Sequence, residues 1–275
     1  MRNEKILINY ANPRFERARR LNSWAGRHIA HFDKVCEFRP DDVDDDFRRA
    51  HADIFAYERG NGLWLWKPYI LNKVIAACND GDYIFYLDSG AFFMRDPAPL
   101  FAYVTDDNPI FVTDIPLLES CWTKPSCFDT MDAHAFKDTN QIQSGYILFK
   151  VNDYTRAFFR EYFDLCSNTD VLISEGLGKH DKVEKQYGNG FVSHREDQSV
   201  LSLLCKKKGI KAHRDISQRG MNPRSFYNPH YAYRVPEHPD DTYKSVVYLH
   251  KSTSLYGFLK SKVGGLVLRR IGITK

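Results

Sequence analysis

The stretch Tyr83-Ile84-Phe85-Tyr86-Leu87-Asp88-Ser89-Gly90 decides the fold. Its first five residues are apolar or aromatic, which is the pattern of a strand buried on both faces of a helix-covered sheet. The run then ends in a carboxylate and two small residues. In open α/β sheets, ligands bind beyond the carboxyl ends of the strands. Asp88 therefore stands where a ligand is expected, and Ser89-Gly90 let one approach the backbone. A carboxylate there suits a hard divalent cation that neutralises a diphosphate. The plainer reading of the same residue is a helix cap.

Upstream, Trp66-Lys67-Pro68-Tyr69 places Pro68 in the first turn of a helix whose face is Ile70, Leu71, Val74, Ile75 and Cys78. Asn79-Asp80-Gly81-Asp82 is turn chemistry. Further strands are predicted over Lys5–Ala11, Phe32–Phe38, Pro109–Ile115, Tyr146–Val151, Ile210–Ile216 and Ser245–Leu249. Helices are predicted over Tyr154–Cys166 and Glu196–Lys208. Asp41–Asp46 lacks the glycine turn and closing glutamate of an EF-hand and reads as a solvated helix start. The expected class is α/β, a Rossmann-type, mostly parallel sheet flanked by helices.

The 275 residues fit one catalytic domain over 1–250 and a tail over 251–275. A net charge of +4 is too weak to announce a nucleic-acid binder. That charge is concentrated: Thr242–Lys275 holds seven basic residues and no acidic one, which leaves the rest of the chain at −3. Within the tail, Leu255, Phe258, Leu259, Val263, Leu266 and Val267 recur at helical spacing, although three glycines weaken the helix. The expected partner of such a segment is an anionic membrane surface. The bland alternative is a helix docked on its own domain. Six scattered cysteines without a CxxC pair read as reduced thiols. Lys5–Asn9 is too short an apolar run for a signal peptide, and no run of 18 apolar residues occurs, so the expected location is cytoplasmic, peripheral on the inner face of the membrane.

Several signatures are missing. Gly60-Asn61-Gly62, Gly176-Leu177-Gly178 and Gly188-Asn189-Gly190 lack the third glycine of the dinucleotide fingerprint, and there is no P-loop, GxSxG or HExxH. What is present comes in ordered blocks. Arg59-Gly60-Asn61-Gly62-Leu63-Trp64-Leu65-Trp66-Lys67-Pro68 is followed by Tyr86–Gly90, Glu119–Lys124, Gln141–Lys150 and His194–Ser199. Together these resemble bacterial GT-A glycosyltransferases, the nucleotide-diphospho-sugar transferases of surface-polysaccharide and lipopolysaccharide assembly.

The resemblance implies roles. Arg59, Gly60, Lys67, Asp88, Ser89 and Gly90 would bind the donor, with the two cations facing its diphosphate. Trp122, Thr123, Lys124 and Gln143 would face a glycan or lipid-linked glycan acceptor. Asp197 in the Glu196-Asp197 pair would be the base that takes the acceptor proton, with Glu196 second in line; capping is the alternative for both. GT-A enzymes commonly carry Asp-x-Asp at an Mn²⁺ or Mg²⁺ site. Here Asp88-Ser89-Gly90 lacks the second carboxylate, and His250 is the matching candidate to join Asp88 as a metal ligand. Two other readings stay open. One is a noncatalytic carbohydrate or sugar-nucleotide binding protein. The other is a sugar-phosphate nucleotidyltransferase, disfavoured because Lys5–Arg14 contains no glycine.

Overall fold

The computed structural model describes residues 2–173 and 190–250; the basic tail 251–275 and the glycines at 176, 178 and 188 lie outside the described residues. The strands are β1 (Lys5–Tyr10), β2 (Lys34–Phe38), β3 (Tyr83–Leu87), β4 (Ala91–Phe93), β5 (Ile110–Leu118), β6 (Asn140–Ile142), β7 (Tyr146–Lys150), β8 (Ala212–Arg214) and β9 (Val247–Leu249). The longer helices are α1 (Glu16–His28), α2 (Trp66–Ala76), α3 (Asp153–Cys166) and α4 (Glu196–Lys207). The main sheet runs β2-β1-β3-β7-β5-β6, with β8 also paired to β5. The strands β1, β2, β3, β5 and β8 share one direction, while β6 and β7 run against it. A small antiparallel ribbon joins β4 to β9, pairing Ala91 with Leu249.

Side-chain alternation sorts the core onto two faces of this sheet. Ile6, Ile8, Ile84, Tyr86, Ile147 and Phe149 pack beneath α2, α3 and α4. Leu7, Phe85, Leu87, Tyr146 and Leu148 pack on the other side with α1 and the β4–β9 ribbon. Both faces are buried, which is why β3 reads as a continuous apolar run.

The α/β class and the sheet flanked by helices agree with the sequence reading. Local differences have local causes. The strand expected over Ile210–Ile216 shortens to Ala212–Arg214 because Asp215 turns its carboxylate onto the Ser217 N–H at 2.7 Å. Helix α1 lies outside the helices predicted above; its buried face is mostly small or polar: Ala18, Asn22, Ser23, Ala25 and Gly26, with Arg19 held between Glu16 and Glu37.

One of those polar residues fixes the end of β3. Asn22 accepts from the Asn9 amide at 2.9 Å, and its own Nδ2 donates toward the carbonyls of Asp88 at 3.2 Å and Ala91 at 2.9 Å. Ser89 Oγ donates to the Tyr10 carbonyl at 2.6 Å, and the Asp88 N–H donates to the Gly145 carbonyl at 2.8 Å. The turn after β3 is thus tied to α1, β1 and the approach to β7. Asn22→Ala strands these buried groups, and urea denaturation is expected to show a loss of about 1–3 kcal/mol.

Candidate active site

Two clefts open side by side beyond the carboxyl ends of β1 and β3. The first, of about 550 Å³, is walled by Tyr10, Asn12, Arg14, Trp66 and Asp88-Ser89-Gly90. The second, of about 530 Å³, is walled by Lys67, Trp122, Gln143, Glu196 and Asp197. They share Arg59, Trp64, Asp88 and Leu249. A third cavity of about 280 Å³ continues from the second past Gln143, Arg195 and Gln198 to Arg219, Phe226 and Tyr231.

A buried charge network forms the floor of the second cleft. Lys67, only 1% exposed, places Nζ 2.6 Å from Asp197 Oδ2, 3.0 Å from Ser144 Oγ and 3.9 Å from Asp88 Oδ1. Tyr162 donates to Asp197 Oδ2 at 3.3 Å, and Tyr86 donates to Asp88 Oδ1 at 2.6 Å. The walls around Asp88 desolvate it and push its carboxyl above the ordinary carboxylate range, with Lys67 pulling the other way. Its side chain is still 44% exposed, so it keeps an open face to the clefts. Gly145 lies against Asp88: a Cβ there would sit 3.3 Å from Oδ2, so a side chain would press on the carboxylate.

The wall between the clefts is a turn of the wrong hand. Gly60, Asn61, Gly62, Leu63 and Trp64 all have positive φ, between 50° and 87°. For non-glycine residues this costs roughly 1–2 kcal/mol each. The turn is held by the Leu63 N–H donating to the Arg59 carbonyl at 2.9 Å and by Trp66 Nε1 donating to the Gly60 carbonyl at 2.8 Å. Gly60 is required twice over, by its φ of 61° and because a Cβ would fall 2.3 Å from the Trp64 ring. The outcome is that Arg59 and Trp64 face both clefts, with the guanidinium 5.4 Å from the indole centroid.

Glu196 is not a helix cap. Both of its oxygens accept from Arg59, at 2.8 and 3.3 Å, and burial pushes its carboxyl upward against that pairing. Its φ of 39° kinks the chain at the start of α4. Asp197 follows it into the network below.

The structure brings Arg59, Gly60, Lys67, Asp88, Ser89, Gly90, Trp122, Gln143, Glu196 and Asp197 to the two clefts. It does not bring Thr123 and Lys124 there. Thr123 Oγ1 donates to the buried Glu119, which is itself paired with Lys206 at 2.6 Å, and Lys124 Nζ donates to the Ile173 carbonyl. Both serve the packing of the loop, and neither lines the two clefts. His250 is placed by its N–H donating to the Gly90 carbonyl at 2.8 Å, with its ring 5.3 Å from that of Phe92.

The described residues do not fit a divalent ion by themselves. Among them no three His, Cys, Asp or Glu side chains are grouped to share one, and Asp88 Oδ1 already has the Tyr86 hydroxyl and the Lys67 ammonium beside it. The metal pair expected from Asp88 and His250 stays a proposal, and the fixed positive charge beside Asp88 is the Lys67 ammonium, 3.9 Å from Oδ1. Residues that the sequence did not single out are Tyr10, stacked on Trp66 at 3.6 Å, with Arg195 and Arg219. Arg195 sits within the His194–Ser199 block but is not singled out in it, while Tyr10 and Arg219 lie outside every block, so their sequence surroundings do not mark them.

No protein-family model matches the chain, and no curated protein matches it in sequence. Solved structures similar to it include mouse xyloside xylosyltransferase 1 in its apo form, at 9% identity and a TM-score of 0.47, covering 93% of this chain and 98% of that one. The galactosyltransferase LgtC, in complex with donor and acceptor sugar analogs, is similar at 14% identity and a TM-score of 0.49, covering 94% and 95%. The bifunctional glycosyltransferase WbbM is similar at 11% identity and a TM-score of 0.41, covering 74% of this chain and 38% of that one. At such values the function has to be read from the residues of the site.

The backbone leading into α4 is held by a buried neutral histidine. His194 Nδ1 accepts from the Lys124 N–H at 3.2 Å, and Nε2 faces the Val171 carbonyl at 3.0 Å. Burial, aided by the Lys124 charge, pushes its pKa down to about 3. A depressed folded pKa means that this stabilisation is complete above the unfolded value of about 6.5 and declines as pH falls toward 3. Over that window, urea denaturation is expected to show wild-type stability falling more steeply than that of His194→Gln, by about 1.4 kcal/mol per pH unit.

Proposed function

We propose that the chain is a glycosyltransferase that moves a sugar from a nucleotide-diphosphate donor to an acceptor hydroxyl. The observation that carries this reading is the meeting of two ligand-sized clefts at Arg59, Trp64 and Asp88, with the buried Asp197 carboxylate on the floor of one of them. Both volumes fall within the range of about 300–1,000 Å³ that small-molecule sites occupy. A hydrolase needs one such site, whereas a group transfer between two bulky substrates needs two that touch.

The first cleft, with the aromatic surfaces of Tyr10, Trp64 and Trp66 and the cations Arg14 and Arg59, suits a nucleoside diphosphate. Asp88 stands at the junction, where the sugar would lie. In the second cleft, the acceptor hydroxyl oxygen bonds to the anomeric carbon while the bond from that carbon to the donor phosphate oxygen breaks. Asp197 takes the hydroxyl proton and the diphosphate leaves with the bonding electron pair. Lys67 and Tyr162 occupy Oδ2 of Asp197, which leaves Oδ1 to meet the acceptor. Arg59, held by Glu196 and 47% exposed, meets the charge that grows on the leaving group. Gln143, steadied by its amide donating to Thr113 Oγ1 at 3.1 Å, offers its carbonyl oxygen to sugar hydroxyls.

A panel of sugar nucleotides tests this reading, with turnover followed by nucleoside diphosphate release and with Mn²⁺ and a chelator in parallel arms. One donor is expected to turn over. Asp197→Asn is expected to lower kcat by about 10²–10⁴-fold, the usual worth of a positioned base, with donor affinity kept. Binding without turnover for every acceptor supplied would favour a noncatalytic binding protein, and no binding of any donor would end the proposal. The anomeric configuration of the product, read by NMR, separates inversion from retention.

The proposal places the acceptor among cell-surface glycans or lipid-linked glycans, with the basic segment 251–275 touching anionic lipid. This part is supported by the sequence blocks and by the seven basic residues of Thr242–Lys275. Liposome flotation is expected to recover the full chain with anionic but not neutral vesicles. Equal recovery of a chain ending at Thr253 would refute the contact.

A further inference from the structure

Most cations of the second cleft are matched by carboxylates: Lys67 by Asp197, and Arg59 by Glu196. Two arginines of the adjoining third cavity are not. Among the described residues, the guanidinium groups of Arg195 and Arg219 make no ion pair, and each lies instead against an aromatic ring. Arg195 is 4.5 Å from the Trp122 centroid, and Arg219 is 4.9 Å from that of Phe226. No aspartate or glutamate lines the third cavity. The two charges also repel each other. Burial chiefly pushes the Arg195 pKa down to about 10; the Glu196 carboxylate opposes it, and Arg59 and Arg219 add to it.

A guanidinium without a paired carboxylate leaves its fork of donors to a ligand, and two such arginines face one small space. A guanidinium is a planar fork that holds a carboxylate or phosphate through two parallel hydrogen bonds. The remaining lining is the chemistry of a sugar site: the amides of Gln143, Gln198 and Asn228 for hydroxyls, and the rings of Tyr227 and Tyr231 for the apolar face of a pyranose. The cavity opens into the second cleft through Gln143, Arg195 and Gln198, on the side of Asp197.

We propose that the third cavity is the acceptor subsite and that it selects an anionic sugar, one bearing a carboxylate or a phosphate, through Arg195 and Arg219. This deepens the transferase reading and rests on it for the word acceptor. The anionic recognition stands on the two arginines alone. Arg219 also lines the first cleft, so the donor diphosphate is the competing source of negative charge.

Calorimetry on the full chain separates the two. The probes are methyl β-glucuronide and glucose 6-phosphate, with methyl β-glucoside as the neutral control, and uridine and guanosine diphosphates as a separate arm. At least one anionic sugar is expected to bind tenfold or more tightly than the neutral glycoside, with the preference falling to twofold or less in Arg195→Gln and Arg219→Gln. Arg195→Lys and Arg219→Lys keep the charge but lose the fork, and should retain part of it; their urea midpoints check folding. Equal binding of the charged and neutral sugars, or binding of neither, overturns the proposal. So does a result in which the glutamine variants weaken nucleoside diphosphate binding and leave the sugars untouched, since the arginines would then serve the donor. Donor turnover without anionic preference would sink this inference and spare the transferase reading. Anionic sugar binding by a chain that binds no donor would do the reverse.

Discussion

A lysine ammonium buried among carboxylates organises this molecule. Lys67 reaches Asp197 at 2.6 Å and Asp88 at 3.9 Å from the first turn of α2. It therefore ties the start of that helix to the end of β3 and the start of α4. Removing one partner of such a pair would leave a bare charge in a dry place, a loss of about 3–5 kcal/mol. The same constraint sets the electrostatics of the candidate site. Desolvation and the neighbouring Asp197 charge push the Asp88 carboxyl upward, and Lys67 pulls it back. Two acidic groups can thus stand close together at the junction of the clefts without either being expelled into solvent.

Around that network the chain accepts local strain to place its side chains. Five consecutive residues with positive φ carry Arg59 and Trp64 onto the wall shared by both clefts, and Glu196 adds a sixth such residue where α4 begins. Arg59 and Glu196, separated by 137 positions, meet across this wall at 2.8 Å. Strain of this kind persists only when the surroundings over-determine it. Here the surroundings are the Trp64 ring on Gly60, the Phe55 ring on Gly62 and the indole N–H of Trp66.

Much of the frame is legible in the chain itself. The apolar run of β3, the helix led by Pro68 and the acidic pair opening α4 can each be read from a few adjacent residues, because burial on two faces, a fixed proline φ and a hydrophobic face all leave local patterns. The less legible elements have less local signatures. Helix α1 hides behind small and polar residues whose purpose, as in Asn22 bonding the turn after β3, is visible only with the sheet in place. Thr123 and Lys124 look like site residues beside Trp122, yet Glu119 and the Ile173 carbonyl claim them. A sequence displays a polar side chain without displaying its partner.

The sequence by itself determined the class of the fold and the address of the candidate site, the clefts beyond Asp88 at the end of a buried strand, since both follow from short-range patterning. Only the tertiary structure decided how charges are shared there. Lys67 turned inward to Asp197, Glu196 closed on Arg59, and Arg195 and Arg219 were left facing a cavity without an acidic residue in its lining. Net charge is a property of composition. Whether a given cation is matched, desolvated or left to a ligand depends on distances of a few ångströms between residues tens or hundreds of positions apart, because the Coulomb energy and its screening are set by separation and burial in space.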